Sequence, residues 1–216
     1  MKKLSFVLAT LLGTGLATSA HAQSIRFGLK AGANLSNLTG NLTNQDKYKN
    51  KLGFLGGALL NVGLVQDLLS IQPEVLFSQK GFKYTNQTFG PLNYSGDRTY
   101  NYIDVPVLLK VKASGLFFEA GPQYSYLLNV RDNSTTTYNG TPIGNSSGTQ
   151  NLDRVNRNEI GYAAGLGFEA SSGVFIGVRY NGSFTDFAKE GYQDLDVRNA
   201  RNSVFQASLG FLLPAK

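Results

Sequence analysis

The sequence predicts an all-β fold: an eight-stranded antiparallel up-and-down transmembrane β-barrel behind a cleaved signal peptide. Three observations predict it. Apolar residues recur at every second position in eight separate runs, and the polar segments joining those runs alternate between long and short. Beyond the amino-terminal segment, no apolar stretch approaches the length of a membrane helix.

Met1-Lys2-Lys3 precedes an apolar, charge-free run from Leu4 to Leu16, and Ala20-His21-Ala22 then offers small residues for cleavage. Residues 1–22 are expected to be a signal peptide and residues 23–216 one outer-membrane β-barrel domain, with the cell outer membrane as its location. Removing Lys2 and Lys3 lowers the formal net charge from +6 to +4. The basic residues are scattered among acids, which argues against nucleic acid as a partner. Cysteine is absent, and the single histidine, His21, lies in the expected signal. Thiol chemistry, Cys/His zinc sites and histidine-based catalysis are therefore excluded, so no catalytic residue, cofactor or metal is expected.

The first run sets Ile25, Phe27, Leu29, Ala31, Ala33 and Leu35 against a face carrying Arg26, Lys30 and Asn34. The second places Phe54, Ala58, Leu60, Val62 and Leu64 on one face. In the third, Leu69, Ile71, Pro73, Val75 and Phe77 oppose Ser70, Gln72, Glu74 and Ser78; in the fourth, Ile103, Val105, Val107, Leu109 and Val111 oppose Asp104, Pro106, Lys110 and Lys112. The fifth sets Phe118, Ala120, Pro122, Tyr124, Tyr126 and Leu128 against Glu119, Gly121, Gln123 and Ser125. Ile160 to Phe168, Val174 to Tyr180 and Phe205 to Leu213 repeat the pattern, with Glu169, Arg179 and several glycines on the polar face. Pro73, Pro106 and Pro122 each lack an N–H, so local bulges are expected there.

Short turns fall at residues 65–67, 113–115 and 171–173, whereas residues 36–51, 82–99, 129–158 and 185–203 read as long polar loops. With a periplasmic amino terminus the long segments face outward, where they would meet protein partners. Phe54, Tyr102, Tyr124, Tyr126, Tyr162, Tyr180 and Phe205 near one end, and Phe27, Phe118, Phe168 and Phe211 near the other, suit two interfacial girdles. A soluble barrel would instead turn the apolar face inward. The membrane reading makes outer-membrane lipid and lipopolysaccharide the surroundings of a monomer.

By strand phase, Arg26, Lys30, Glu74, Lys80, Asp104, Lys110, Lys112, Glu119, Glu169 and Arg179 point into the lumen. Eight strands leave room only for side chains, so these are expected to form a paired network that plugs the interior. Glu74 and Lys110 are an expected pair; a polar ion pathway is the alternative. Lys47, Lys49, Lys51, Lys80 and Lys83 are read near the outer rim, where lipopolysaccharide phosphates would face them. Glu190, Asp194 and Asp196 lack the spacing of a calcium loop. The glycine pattern at Gly165-Leu-Gly167 is followed by another strand and is no dinucleotide fingerprint.

The runs SIQPEVLFSQKG (Ser70 to Gly81) and YIDVPVLLK (Tyr102 to Lys110), with FGLKAGAN (Phe27 to Asn34), resemble the PorT-like outer-membrane β-barrels, often labelled "porin family". The resemblance covers essentially residues 23–216 and includes two of the three prolines. It implies an outer-membrane barrel of OmpA or OmpX size without an assigned activity. A narrow channel, or an accessory of a secretion or assembly machine, are the alternative roles.

Overall fold

Because apolar and polar residues alternate, each run can close a hydrogen-bonded sheet while keeping its two faces chemically distinct. The computed structural model describes residues 24–40, 48–65, 68–149, 151–153, 155–188 and 199–214. The expected signal and Glu190, Asp194, Asp196 and Lys47 lie outside the described residues. The strands are β1 (Ile25–Gly40), β2 (Tyr48–Val65), β3 (Leu69–Phe89), β4 (Leu92–Ala113), β5 (Leu116–Tyr138), β6 (Thr141–Thr149), β7 (Asn158–Glu169), β8 (Val174–Ser183) and β9 (Ala200–Leu212). Eight of them close an antiparallel ring in the order β1-β2-β3-β4-β5-β7-β8-β9, and β9 returns to β1. The ninth, β6, pairs only with the outer end of β5 among the described residues.

The register fixes the width of the ring. Starting at Ile103, cross-strand partners run through Phe77, Gly56, Ala31, Leu209, Ile176, Phe168 and Leu116, and return to β4 at Ala113. The path has slipped from position 103 to 113, a shear of ten residues around eight strands. Strand spacing and rise convert that shear into a tilt of about 40°, and such a ring holds side chains with little space left over.

The faces sort as the alternation predicts. Phe27, Leu29, Phe118, Ile160, Ile176 and Leu209 lie outside, Phe118 63% exposed, while Lys30, Glu74, Lys80, Asp104, Lys110 and Arg179 are buried. An apolar belt of this extent needs a bilayer around it, and the polar interior excludes the soluble alternative. Tyr102 departs from its expected girdle position: it shares the phase of Asp104 and is wholly buried in the lumen.

Two further expectations are corrected. Pro73 stays opposite Val107, Pro106 opposite Gln123 and Pro122 opposite Tyr162, with no register shift at any of them. A missing N–H removes one ladder bond but adds no residue, so the neighbouring pairs hold the register. The shifts fall elsewhere, as between Asn101 and Tyr102 in the β4–β5 ladder. The segment read as a loop at 82–99, and residues 129–149 of the one read as a loop at 129–158, are instead β-hairpins that continue the sheet. Their Thr and Tyr residues favour strand but give no apolar face. Asn139 and Gly140 both have positive φ, 46° and 82°, the two-residue arrangement that matches strand twist. Ser114 and Gly115, at 50° and 89°, make the equivalent turn at the other end.

The long hairpins lie at one end of the ring and the tight turns at the other. Protease sites inserted at Asn139–Gly140 should be cut on intact cells, and sites at Ser114–Gly115 only after the outer membrane is permeabilised. The opposite pattern would invert the orientation.

Candidate functional site in the barrel lumen

The lumen is filled in tiers, beginning at the tight-turn mouth. Glu169, at the end of β7, accepts at one oxygen from Arg26 Nη1 (2.7 Å) and Lys112 Nζ (3.1 Å), and at the other from Lys110 Nζ (2.8 Å). Arg26 also donates through Nε to the Leu213 carbonyl at 3.1 Å. Behind this cluster, Leu59, Phe117, Phe175 and Leu212 form an apolar floor. The Lys110 ammonium lies 4.0 Å from the centre of the Phe117 ring, close enough for a cation–π contact. Glycine makes room for these rings: a Cβ at Gly167 would fall 2.4 Å from Phe117, and one at Gly210 2.2 Å from Phe175.

The next tier centres on Arg179 of β8. Its guanidinium donates from Nη1 and Nη2 to the two oxygens of Glu74 (2.8 and 2.9 Å), and from Nε and Nη2 to Glu119 (2.8 and 2.5 Å). Lys30 Nζ adds a bond to Glu74 at 3.1 Å and Gln72 Nε2 another at 2.8 Å. In ring order β8 and β3 are diametrically opposite, so the Arg179–Glu74 pair crosses the full width of the barrel. All four charged groups are buried. Such groups persist only because each finds opposite charge and hydrogen bonds in place of water.

Above it, Lys80 bonds Asp104 at 2.9 Å, reaches Glu159 at 3.8 Å and stands 4.4 Å from the Tyr102 ring centre. Asn202 of β9 donates to Tyr102 of β4 (3.1 Å) and to Glu159 (2.5 Å), tying a second pair of opposite walls. Buried Asn34, Asn181 and Gln206 complete this level. Toward the long hairpins the lumen turns apolar, capped by Leu38, Tyr48, Phe82, Tyr100, Leu127 and Phe187 among others, with Tyr100 and Phe187 rings 4.8 Å apart. Beyond the cap, the hairpin sheet is tied by Arg98–Asp132 (2.6 Å) and by the Tyr84 hydroxyl donating to Asp132 (2.9 Å). Burial and that carboxylate push the Tyr84 hydroxyl up to about 12.

All ten residues assigned inward by phase line the lumen, with Arg26 and Lys112 partly exposed at its mouth. Their partners differ from the expected ones. Glu74 does not pair with Lys110: Lys110 sits opposite Ser70, four residues nearer the tight turns than Glu74, about 13 Å along the strand. Lys80 is not a rim residue but the buried partner of Asp104, whereas Lys49 and Lys83 are exposed and Lys51 pairs with Asp97. Glu159 and Asn202 were not singled out from sequence, although Glu159 shares the inward phase of Glu169 on the same strand. No grouping of three or more His, Cys, Asp or Glu residues among the described residues is placed to hold a metal ion.

The pairing makes a specific energetic forecast. In urea unfolding from detergent, Arg179→Met or Glu74→Gln alone should each cost on the order of 3 to 5 kcal/mol by leaving a buried charge unpaired. The double variant should cost less than the sum by about 1 to 3 kcal/mol, whereas Glu74→Gln with Lys110→Met should be additive. Additivity of the first pair would remove Arg179 from the centre of the network.

The model of the outer membrane protein β-barrel domain family matches residues 21–189. No curated protein matches the chain. Among solved structures, Neisserial surface protein A is similar, at 12% identity over 86% of this chain and 96% of that one, with a TM-score of 0.47. Ail, the attachment invasion locus protein of Yersinia pestis, is 11% identical over 88% and 99%, also with a TM-score of 0.47. The N-terminal β-barrel domain of Pseudomonas aeruginosa OprF is 12% identical over 86% and 97%, with a TM-score of 0.36. With its match spanning most of the sequence and its strands closed into the ring described above, this chain belongs to the outer membrane protein β-barrel domain family.

Proposed function

We propose that the chain is a closed, non-conducting barrel that acts structurally in the outer membrane and through its long hairpins in interactions at the cell surface. The observation that carries the reading is the pair of ties between opposite walls, Arg179 to Glu74 and Asn202 to Tyr102. An ion moving along the axis would have to part buried charge pairs and then cross an apolar cap, each step costing several kcal/mol. The proposal assigns no catalytic residue, cofactor or metal. The hairpins carry the interaction role: β6 is exposed throughout its length and uncharged, with Ser, Thr and Asn to offer hydrogen bonds. Lipid and lipopolysaccharide surround the apolar belt of a monomer, and the likeness to PorT-like barrels belongs to the same reading.

Planar-bilayer recording of the purified, folded barrel tests it. The expected result is no steady single-channel current at moderate voltage. A reproducible, ohmic current from the unaltered chain would replace the closed barrel with a narrow channel.

A further inference from the structure

The charge at the tight-turn mouth is out of balance. Arg26, Lys110 and Lys112 all bond one carboxylate, Glu169, so among the described residues three cations converge on a single anion. Arg26 and Lys112 share the same Glu169 oxygen, which holds two like charges within about 6 Å of each other, a distance at which they repel appreciably in a partly desolvated site. Beside them lies a recess lined also by Ser24, Asn61 and Ser70. It offers about 50 Å³ to the centres of water-sized occupants, several times the space one water needs. It opens toward a wider vestibule bordered by Ser114, Ser171 and Pro214. Deeper passage is barred by the Phe117 and Phe175 floor.

Donors remain for a ligand. Arg26 has five N–H groups, of which those to Glu169, Leu213 and Leu212 use three. Among the described residues the Lys112 ammonium bonds Glu169 alone, and buried Lys110 brings one fixed charge to the inner wall. A guanidinium fork beside two ammonium groups and hydroxyls suits tetrahedral, doubly charged oxyanions better than a single carboxylate.

We propose that this mouth is a binding site for a phosphate monoester group, with Arg26 and Lys112 as the gripping residues and Lys110 as the buried countercharge. The surplus of two positive charges among the described residues matches a dianion, and the ligand displaces neither the Arg179 tier nor the apolar floor. The same chemistry is offered by a soluble phosphate and by the headgroup of phosphatidic acid in the adjoining leaflet.

The test uses the full barrel in phosphatidylcholine nanodiscs at low ionic strength, with phenyl phosphate titrated and followed by calorimetry and ³¹P NMR. Saturable binding is expected. Lys112→Gln should weaken it about tenfold and Arg26→Gln at least as much. Glu169→Gln should tighten it several-fold, which a purely structural cluster would not do. Heat-modifiability on gels checks that each variant is folded, and Lys112→Gln, partly exposed, keeps the test open if Glu169→Gln fails to fold. Adding phosphatidic acid to the nanodiscs separates the sources: competition identifies a lipid headgroup and its absence a soluble ligand, and either supports the site. No saturable binding, equal displacement by chloride at matched ionic strength, or indifference to Lys112→Gln would overturn it.

Discussion

Beyond its mouth, a ring this narrow leaves little water to solvate charges, and that constraint governs the molecule. Eight strands with a shear of ten leave a lumen filled by its own side chains. Every ion placed there must be met by another side chain, and Arg179 meets the requirement for three strands at once by joining β8 to Glu74 of β3 and Glu119 of β5. A bidentate guanidinium suits this role because its fork holds direction as well as charge. The Lys80–Asp104 pair and the Asn202–Tyr102 bond repeat the principle one level higher. The interior polarity thereby becomes a set of struts between walls.

The outer face answers a different solvent. Its leucines, isoleucines and aromatics are exposed only in the sense that lipid, not protein, covers them, and closing the ladder leaves the ring no open strand edge toward the bilayer. The hairpin sheet beyond the belt returns to water and changes composition accordingly, with Thr, Asn and Ser in place of apolar residues. One continuous β5, from Leu116 to Tyr138, thus passes through two environments and changes its residue types as it does so.

Period-two alternation made the ring, its faces and the inward charges legible, because phase depends only on neighbouring positions. Partnership was not legible, because it depends on register and shear summed around the ring. Glu74 and Lys110 share a face and have opposite charge, yet they lie in different tiers; Glu169, three strands from Arg26, is the residue that Arg26 reaches. The hairpins were missed because polar strands above a membrane carry no apolar signal, although Asn139-Gly140 was available as a turn marker. Glu159 escapes an apolar-alternation reading because it precedes the first apolar residue of its strand, Ile160, although it shares the inward phase.

The central claim is that the Arg179 guanidinium is locked between opposite walls and shielded from solvent. The most direct measurement is ¹⁵N NMR of its side chain in lipid nanodiscs, assigned by comparison with Arg179→Lys. The account predicts a resolved Nε–H that exchanges slowly with water, with hindered rotation about the Cζ–Nη bonds that is lost in Glu74→Gln. Rapid solvent exchange and free rotation, matching an exposed arginine such as Arg201, would contradict it.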